Sequence, residues 1–195
     1  MSLRERLPSR RIALLATAST VLLVGAYPPL SLVLPSFVAL VPLLWALDEL
    51  RLRNAPAAEA AWTGYWFGVF VHGVTLYWMV IALWHFTPLS ALGYAASVLV
   101  VLSPQWALAA WATYRACSRA RIPLWIGFPL IWTGVEWLQG HFGDLRFPWL
   151  GLGSSLVRMP TLVQWAELGG ARGVTLWLAW ANVMVDASAS WRCPG

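Results

Sequence analysis

The sequence predicts an all-α fold: a polytopic membrane helical bundle of about six transmembrane helices plus a short interfacial helix. Three observations carry that expectation. Of the 195 residues, 59% are hydrophobic and 11% charged, against about a quarter charged in soluble domains. The apolar residues fall into runs long enough for the ~20 residues of helix that a hydrocarbon core requires. Runs such as Ala95-Ala96-Ser97-Val98-Leu99-Val100 do not alternate, so they lack the period of two of a membrane β-barrel strand. Helices then remain as the structure that satisfies its own backbone in lipid.

Six spans can be placed in order, at about residues 12–27, 30–47, 60–85, 89–114, 122–138 and 174–185. Pro28-Pro29 makes the first connection tight. Pro35 and Pro42 are expected to kink or break the second span, and Pro104 lies inside the fourth. Residues 154–168 read as a loop with a short interfacial or re-entrant helix. A cleavable signal peptide is the alternative for residues 1–28. An uncleaved helix is expected instead, because no A-x-A-like site follows and a second span begins at once. Residues 1–195 are expected to form a single transmembrane domain.

The arginines test the count. With a cytoplasmic N-terminus, the inner segments hold Arg4, Arg6, Arg10, Arg11, Arg51, Arg53, Arg115, Arg119, Arg121 and Arg192. The outer segments hold Arg146, Arg158 and Arg172. This asymmetry fits the positive-inside rule with both termini cytoplasmic. It also explains the net charge of +5 without nucleic acid, which is not expected as a partner. The 15 Trp residues fit aromatic belts at the two interfaces.

The most informative polar residue is Glu136, a carboxylate in the Trp-rich fifth span at a spacing of four from Trp132. Two placements fit it. It is hydrated near the outer end, where Gln139, Gly140 and His141 follow, or it faces the bundle interior, where an ionisable group marks a functional site. Phe147-Pro148-Trp149 forms an apolar wedge in the outer loop, either an interfacial anchor or a lipid contact. Asp144 and Arg146 beside it could pair at the surface. Asn182 in the sixth span is suited to interhelical hydrogen bonding, and Gly64, Gly68 and Gly73 to close helix approach. Gln164 and Glu167 are expected at the outer interface. His72 and His85 have no second ligand at metal spacing. Neither Cys117 nor Cys193 has metal or redox spacing. No metal and no cofactor are expected.

Several segments together resemble the N-terminal membrane region of bacterial apolipoprotein N-acyltransferases. They are Tyr27-Pro28-Pro29, Val41-Pro42-Leu43-Leu44, Gly64-Tyr65-Trp66-Phe67-Gly68 with Leu76-Tyr77-Trp78, and residues 129–137 with Phe147-Pro148-Trp149. Residues 160–166, Gly170, Gly173 and Asn182 continue the pattern. The resemblance implies the bacterial cytoplasmic (inner) membrane and transfer of an acyl chain from a phospholipid to the amino group of a diacylglyceryl-lipoprotein cysteine. It also implies a Glu-Lys-Cys triad in a nitrilase-like domain that follows the membrane helices. These 195 residues contain no Lys and no nitrilase-like segment, so no catalytic residue is assigned and the chain is expected to be catalytically incomplete. Gln139 stands where the family usually has Arg. Glu136, Trp149, Phe147, Gln164, Asn182 and Trp78 are the substrate-path or docking candidates. The alternative is a non-catalytic scaffold that assists another membrane enzyme. Membrane lipids and a separate nitrilase-like or glycosyltransferase protein are the expected partners.

Overall fold

The computed structural model describes residues 9–186, and Arg4, Arg6, Arg192 and Cys193 lie outside them. The described residues are mostly helical, with no strand among them. The helices are α1 (Arg10–Ala26), α2 (Val33–Ser36), α3 (Val41–Leu52), α4 (Ala57–Thr75), α5 (Tyr77–Trp84), α6 (Ser90–Ala96), α7 (Ser103–Ser118), α8 (Leu124–His141), α9 (Pro160–Val163) and α10 (Ala166–Asp186). A π-helical stretch, Ser97–Leu102, joins α6 to α7.

Proline starts these helices more often than it stops them. Pro42, Pro104 and Pro160 occupy first-turn positions, and Pro56 and Pro123 immediately precede α4 and α8. At a first turn the missing N–H has no intrahelical partner to lose. Pro129 is different, because it lies inside α8 and leaves the Trp125 carbonyl, four residues earlier, without its helical donor. The indole N–H of Trp180 on α10 fills that vacancy at 2.6 Å. In the π-helical stretch the Val98 carbonyl accepts both the backbone N–H and the hydroxyl of Ser103, and the Gln105 amide donates to the Val101 carbonyl.

The centre is packed by rings and small residues. Phe67, Trp106, Trp132 and Phe128 follow one another with centroid separations of 5.0, 5.1 and 5.5 Å. His72 lies buried against Trp106. α4 lies against α7 because Gly64 and Gly68 present no side chain there. A Cβ on Gly64 would stand 2.5 Å from the Ala110 Cβ and from the Trp106 carbonyl oxygen. In lipid, where apolar burial gives little net drive, such close backbone contact is a main source of helix association.

Two helical stretches are long and apolar enough to cross a membrane alone, Val33–Leu52 and Ser90–Ser118. α4 and α5, bent by 42° at their junction, make a third if they count as one span. That is fewer than the six expected. The reason lies in length and in polar content. α1 has 17 residues. α8 contains Glu136, Gln139 and His141, and α10 contains Glu167, Arg172 and Asp186. The second expected span is interrupted between α2 and α3, in keeping with its prolines, but still counts as one crossing stretch.

The helices alternate in direction and sort the arginines. Arg11, at the start of α1, pairs with Glu49 near the end of α3, and Arg53 pairs with the same carboxylate. Near the end of α7, the Tyr114 hydroxyl donates to the Ala55 carbonyl between α3 and α4 at 2.5 Å. Arg10, Arg11, Arg51, Arg53, Arg115, Arg119 and Arg121 thus belong to one end. At the other end the Tyr27 hydroxyl donates to the Leu150 carbonyl at 2.8 Å, joining α1 to the loop that carries Arg146 and Arg158.

Candidate functional site

Glu136 is buried, 2% exposed, near the C-terminal end of α8. Four donors converge on its carboxylate. Oε1 accepts from Trp132 Nε1 at 2.9 Å and from the Leu152 backbone N–H at 2.7 Å. Oε2 accepts from Thr175 Oγ1 at 2.8 Å and from Arg172 Nη1 at 3.0 Å. Of the two placements open to this residue, the structure takes the interior one. A buried carboxylate is tolerated when paired and hydrogen-bonded at both oxygens.

The four donors come from three pieces of chain, α8, the loop after it and α10, and the local sequence explains each one. Trp132 precedes Glu136 by one helical turn on the same face. Arg172 and Thr175 share a face at a spacing of three. Both lie just after Gly170, which adopts φ 63° and ψ −177°, a conformation essentially limited to glycine. This break starts a fresh helical segment with Arg172 in its first turn and Thr175 just beyond it, where the dipole favours an anion. Leu152 arrives through a loop that passes close over α8 and α10. A Cβ on Gly151 would lie 3.0 Å from Glu136 Oε2, and one on Gly153 would lie 2.9 Å from the Ala171 carbonyl oxygen. The Gly153 N–H also donates to Thr175 Oγ1 at 3.1 Å.

The carboxylate therefore fastens the segment between α8 and α10 to both helices. The segment is held again by the Phe147 N–H, which donates to the Gln139 carbonyl at 2.8 Å, and by Tyr27 on Leu150. Leu150 itself adopts a positive φ of 61°, which costs about 1–3 kcal/mol in a non-glycine residue. The fastened loop carries Trp149 outward, 66% exposed, with Phe147 half-buried. Beside it lies a cavity of about 280 Å³ lined by Tyr27, Pro28, Pro29, Thr75, Trp78 and Leu150, among others. Trp78 is half exposed at its edge.

The structure ties Glu136, through Leu152, to the loop that carries Phe147 and Trp149, and places Trp78 on the cavity that Leu150 of that loop also lines. It does not bring in Asn182. That side chain is fully buried seven residues beyond Thr175, roughly 10 Å along the helix. There its Oδ1 accepts from the Leu40 N–H at 2.8 Å, and its Nδ2 donates to the Ser36 carbonyl at 3.0 Å. Gln164 is exposed just after α9. Asp144 and Arg146 do not form one of the ion pairs among the described residues. Gln139 is buried with its Nε2 lacking a hydrogen-bond partner.

Sequence reasoning did not find Arg172, Thr175 and Tyr27 as parts of this group. The available signal was electrostatic, because a carboxylate inside an apolar helix demands a cation. Of Arg146, Arg158 and Arg172, Arg172 alone sits at the start of a long apolar run. No group of His, Cys, Asp and Glu among the described residues could hold a metal ion.

The apolipoprotein N-acyltransferase N-terminal domain family matches residues 19–184, which includes every residue of the Glu136 group. The chain is 31% identical over 179 residues to the apolipoprotein N-acyltransferase of Geobacter metallireducens, covering 90% of this chain and 33% of that protein. It is 31% identical over 173 residues to the one from Pseudomonas paraeruginosa, covering 84% and 32%. It is 32% identical over 152 residues to the one from Azotobacter vinelandii, covering 75% and 29%. The chain thus spans about a third of the length of the curated relatives it matches. With the family domain covering the bundle and its fastened loop, this chain belongs to the apolipoprotein N-acyltransferase family.

Proposed function

We propose that these residues form the membrane portion of an apolipoprotein N-acyltransferase, a single transmembrane domain in the bacterial cytoplasmic membrane with six spans and both termini inside. α1, α8 and α10 then lie at membrane depth beside the more apolar helices, their polar groups turned to one another. The arginine-rich end faces the cytoplasm, and the loop between α8 and α10 faces outward, in keeping with the positive-inside rule.

The observation that carries this reading is the four-donor anchorage of Glu136. One of the four bonds holds the loop at Leu152 and the other three tie the carboxylate to α8 and α10, so it acts as a positioning residue. The loop it holds presents Phe147-Pro148-Trp149 at the outer surface, next to the cavity edged by Trp78. Rings and prolines there suit the hydrocarbon of the phospholipid donor and of the diacylglyceryl-lipoprotein acceptor. The transfer itself needs the Glu-Lys-Cys chemistry that the family resemblance implies. These 195 residues hold no Lys, so a nitrilase-like segment must act above this surface.

Complementation of a cell depleted of its own N-acyltransferase tests the reading. These 195 residues alone should fail to restore growth. The same residues followed by the remaining two thirds of the Geobacter metallireducens protein should restore triacylated lipoprotein. Triacylation by the 195 residues alone would overturn the claim of incompleteness, and failure of the fused chain to triacylate, when it is inserted and stable, would overturn the family role.

A further inference from the structure

At the arginine-rich end, α1 and α4 leave a groove of about 290 Å³, with Ala13, Ala16 and Thr17 on one wall and Thr63, Trp66 and Phe70 on the other. Its two hydroxyls donate within their own helices. The Thr17 hydroxyl donates to the Ala13 carbonyl at 2.8 Å and the Thr63 hydroxyl to the Glu59 carbonyl at 2.9 Å. What remains is small alkyl surface facing two half-exposed rings, Trp66 and Phe70. Arg10 precedes Ala13 by three residues and Thr17 by seven, so it shares their face of α1, about one turn nearer the helix start. It is exposed and enters none of the ion pairs among the described residues, whereas its neighbour Arg11 is held by Glu49.

We propose that this groove is a binding site for one resident phospholipid, with an acyl chain in the slot and the phosphate on Arg10. The division of the site dictates the class of ligand. A slot walled mostly by alkyl groups and ring faces takes a hydrocarbon chain. A guanidinium at its mouth takes an anionic oxygen, and does so with charge-assisted hydrogen bonds. A free anion would leave the slot empty, and a neutral lipid would leave the guanidinium unmatched. The lipid sits at the opposite end of the bundle from Glu136 and is a structural ligand, not a substrate. This site rests on the membrane reading above but not on acyl transfer.

Native mass spectrometry of the full chain, expressed in bacterial membranes and released from detergent micelles, reads the site directly. Wild-type protein should keep one phospholipid adduct. Arg10→Ala should reduce the retained fraction by about tenfold or more, as expected for the loss of one hydrogen bond to a charged group. Ala16→Phe, which fills the slot, should reduce it as far. Arg10 is exposed, so its replacement leaves the fold intact, and helical circular dichroism checks both variants. Trp149→Ala, at the other end, should retain the adduct. A wild type without an adduct, or an adduct kept equally by Arg10→Ala and a folded Ala16→Phe, would overturn the site. Failure of complementation alongside a normal adduct pattern would count against acyl transfer alone.

Discussion

Replacing Glu136 by Gln separates the charge of the anchor from its shape. The carboxamide keeps one acceptor oxygen. Facing Trp132 and Leu152, that oxygen preserves both bonds made by Oε1, but the amide N–H groups then point at Thr175 Oγ1 and Arg172 Nη1. The Thr175 hydroxyl can turn to accept, while the guanidinium cannot and must swing toward solvent, where its side chain is already 29% exposed. The reverse orientation is worse, since it opposes the amide to two fixed donors. Losing one bond between charged partners predicts about 1.5–3 kcal/mol of destabilisation for Glu136→Gln. Glu136→Ala, which empties the site and strands the Leu152 N–H, should cost about 3–5 kcal/mol. For a chain of this length those values lower the thermal midpoint by roughly 3–12 °C and 6–20 °C. Thermal unfolding in detergent gives the first readout. Hydrogen exchange at Leu152 gives the second, and both variants should accelerate it by at least about tenfold. If both variants lie within about 0.5 kcal/mol of wild type and Leu152 stays protected, the carboxylate does not hold the loop.

Four further outcomes are expected. Trp180→Phe should destabilise by about 1–2 kcal/mol because it orphans the Trp125 carbonyl; adding Pro129→Ala, which restores the helical N–H, should recover most of that loss in a double-mutant cycle. Gly64→Ala should cost about 1–3 kcal/mol through overpacking, whereas Gly93→Ala, which meets nothing within 4 Å, should be neutral or stabilise by up to about 1 kcal/mol in the same melting assay. Asn182→Leu should cost about 2–4 kcal/mol by leaving the Leu40 N–H and the Ser36 carbonyl without partners, again read as a thermal shift. In a Cys117→Ser, Cys193→Ser background, a membrane-impermeant maleimide should label Trp149→Cys on intact cells but Arg119→Cys only after lysis; labelling of Arg119→Cys on intact cells would reverse the orientation.

Much of the architecture was legible in the chain because lipid restricts the choices. Low charge and long apolar runs permit only self-satisfied helices, and the prolines at 28, 29, 35, 42 and 129 mark places where the helical ladder must stop or find another donor. Family membership was legible from segments that include Trp132 and Glu136, but not Leu152, Arg172 or Thr175, which complete the group. The number of spans was less legible. Periodicity and Arg asymmetry count apolar segments, but α1, α8 and α10 are short or polar enough to fall below what a lone span requires. Whether they lie at membrane depth depends on how their neighbours cover their polar groups.

By itself the sequence determined helical class, helix order, the separation of Arg between two ends, and the presence of one carboxylate too costly to leave bare. The tertiary structure decided how that carboxylate is satisfied. Trp132, Leu152, Arg172 and Thr175 stand 4, 16, 36 and 39 positions from Glu136, and only the packing of α8 against α10 brings all four within 3.0 Å of it. The same packing matches the Trp125 carbonyl to Trp180 across 55 positions, and the burial of α10 matches Leu40 to Asn182 across 142. Polar pairing in a bundle depends on which faces meet, and a linear pattern names the groups that need partners without naming the partners.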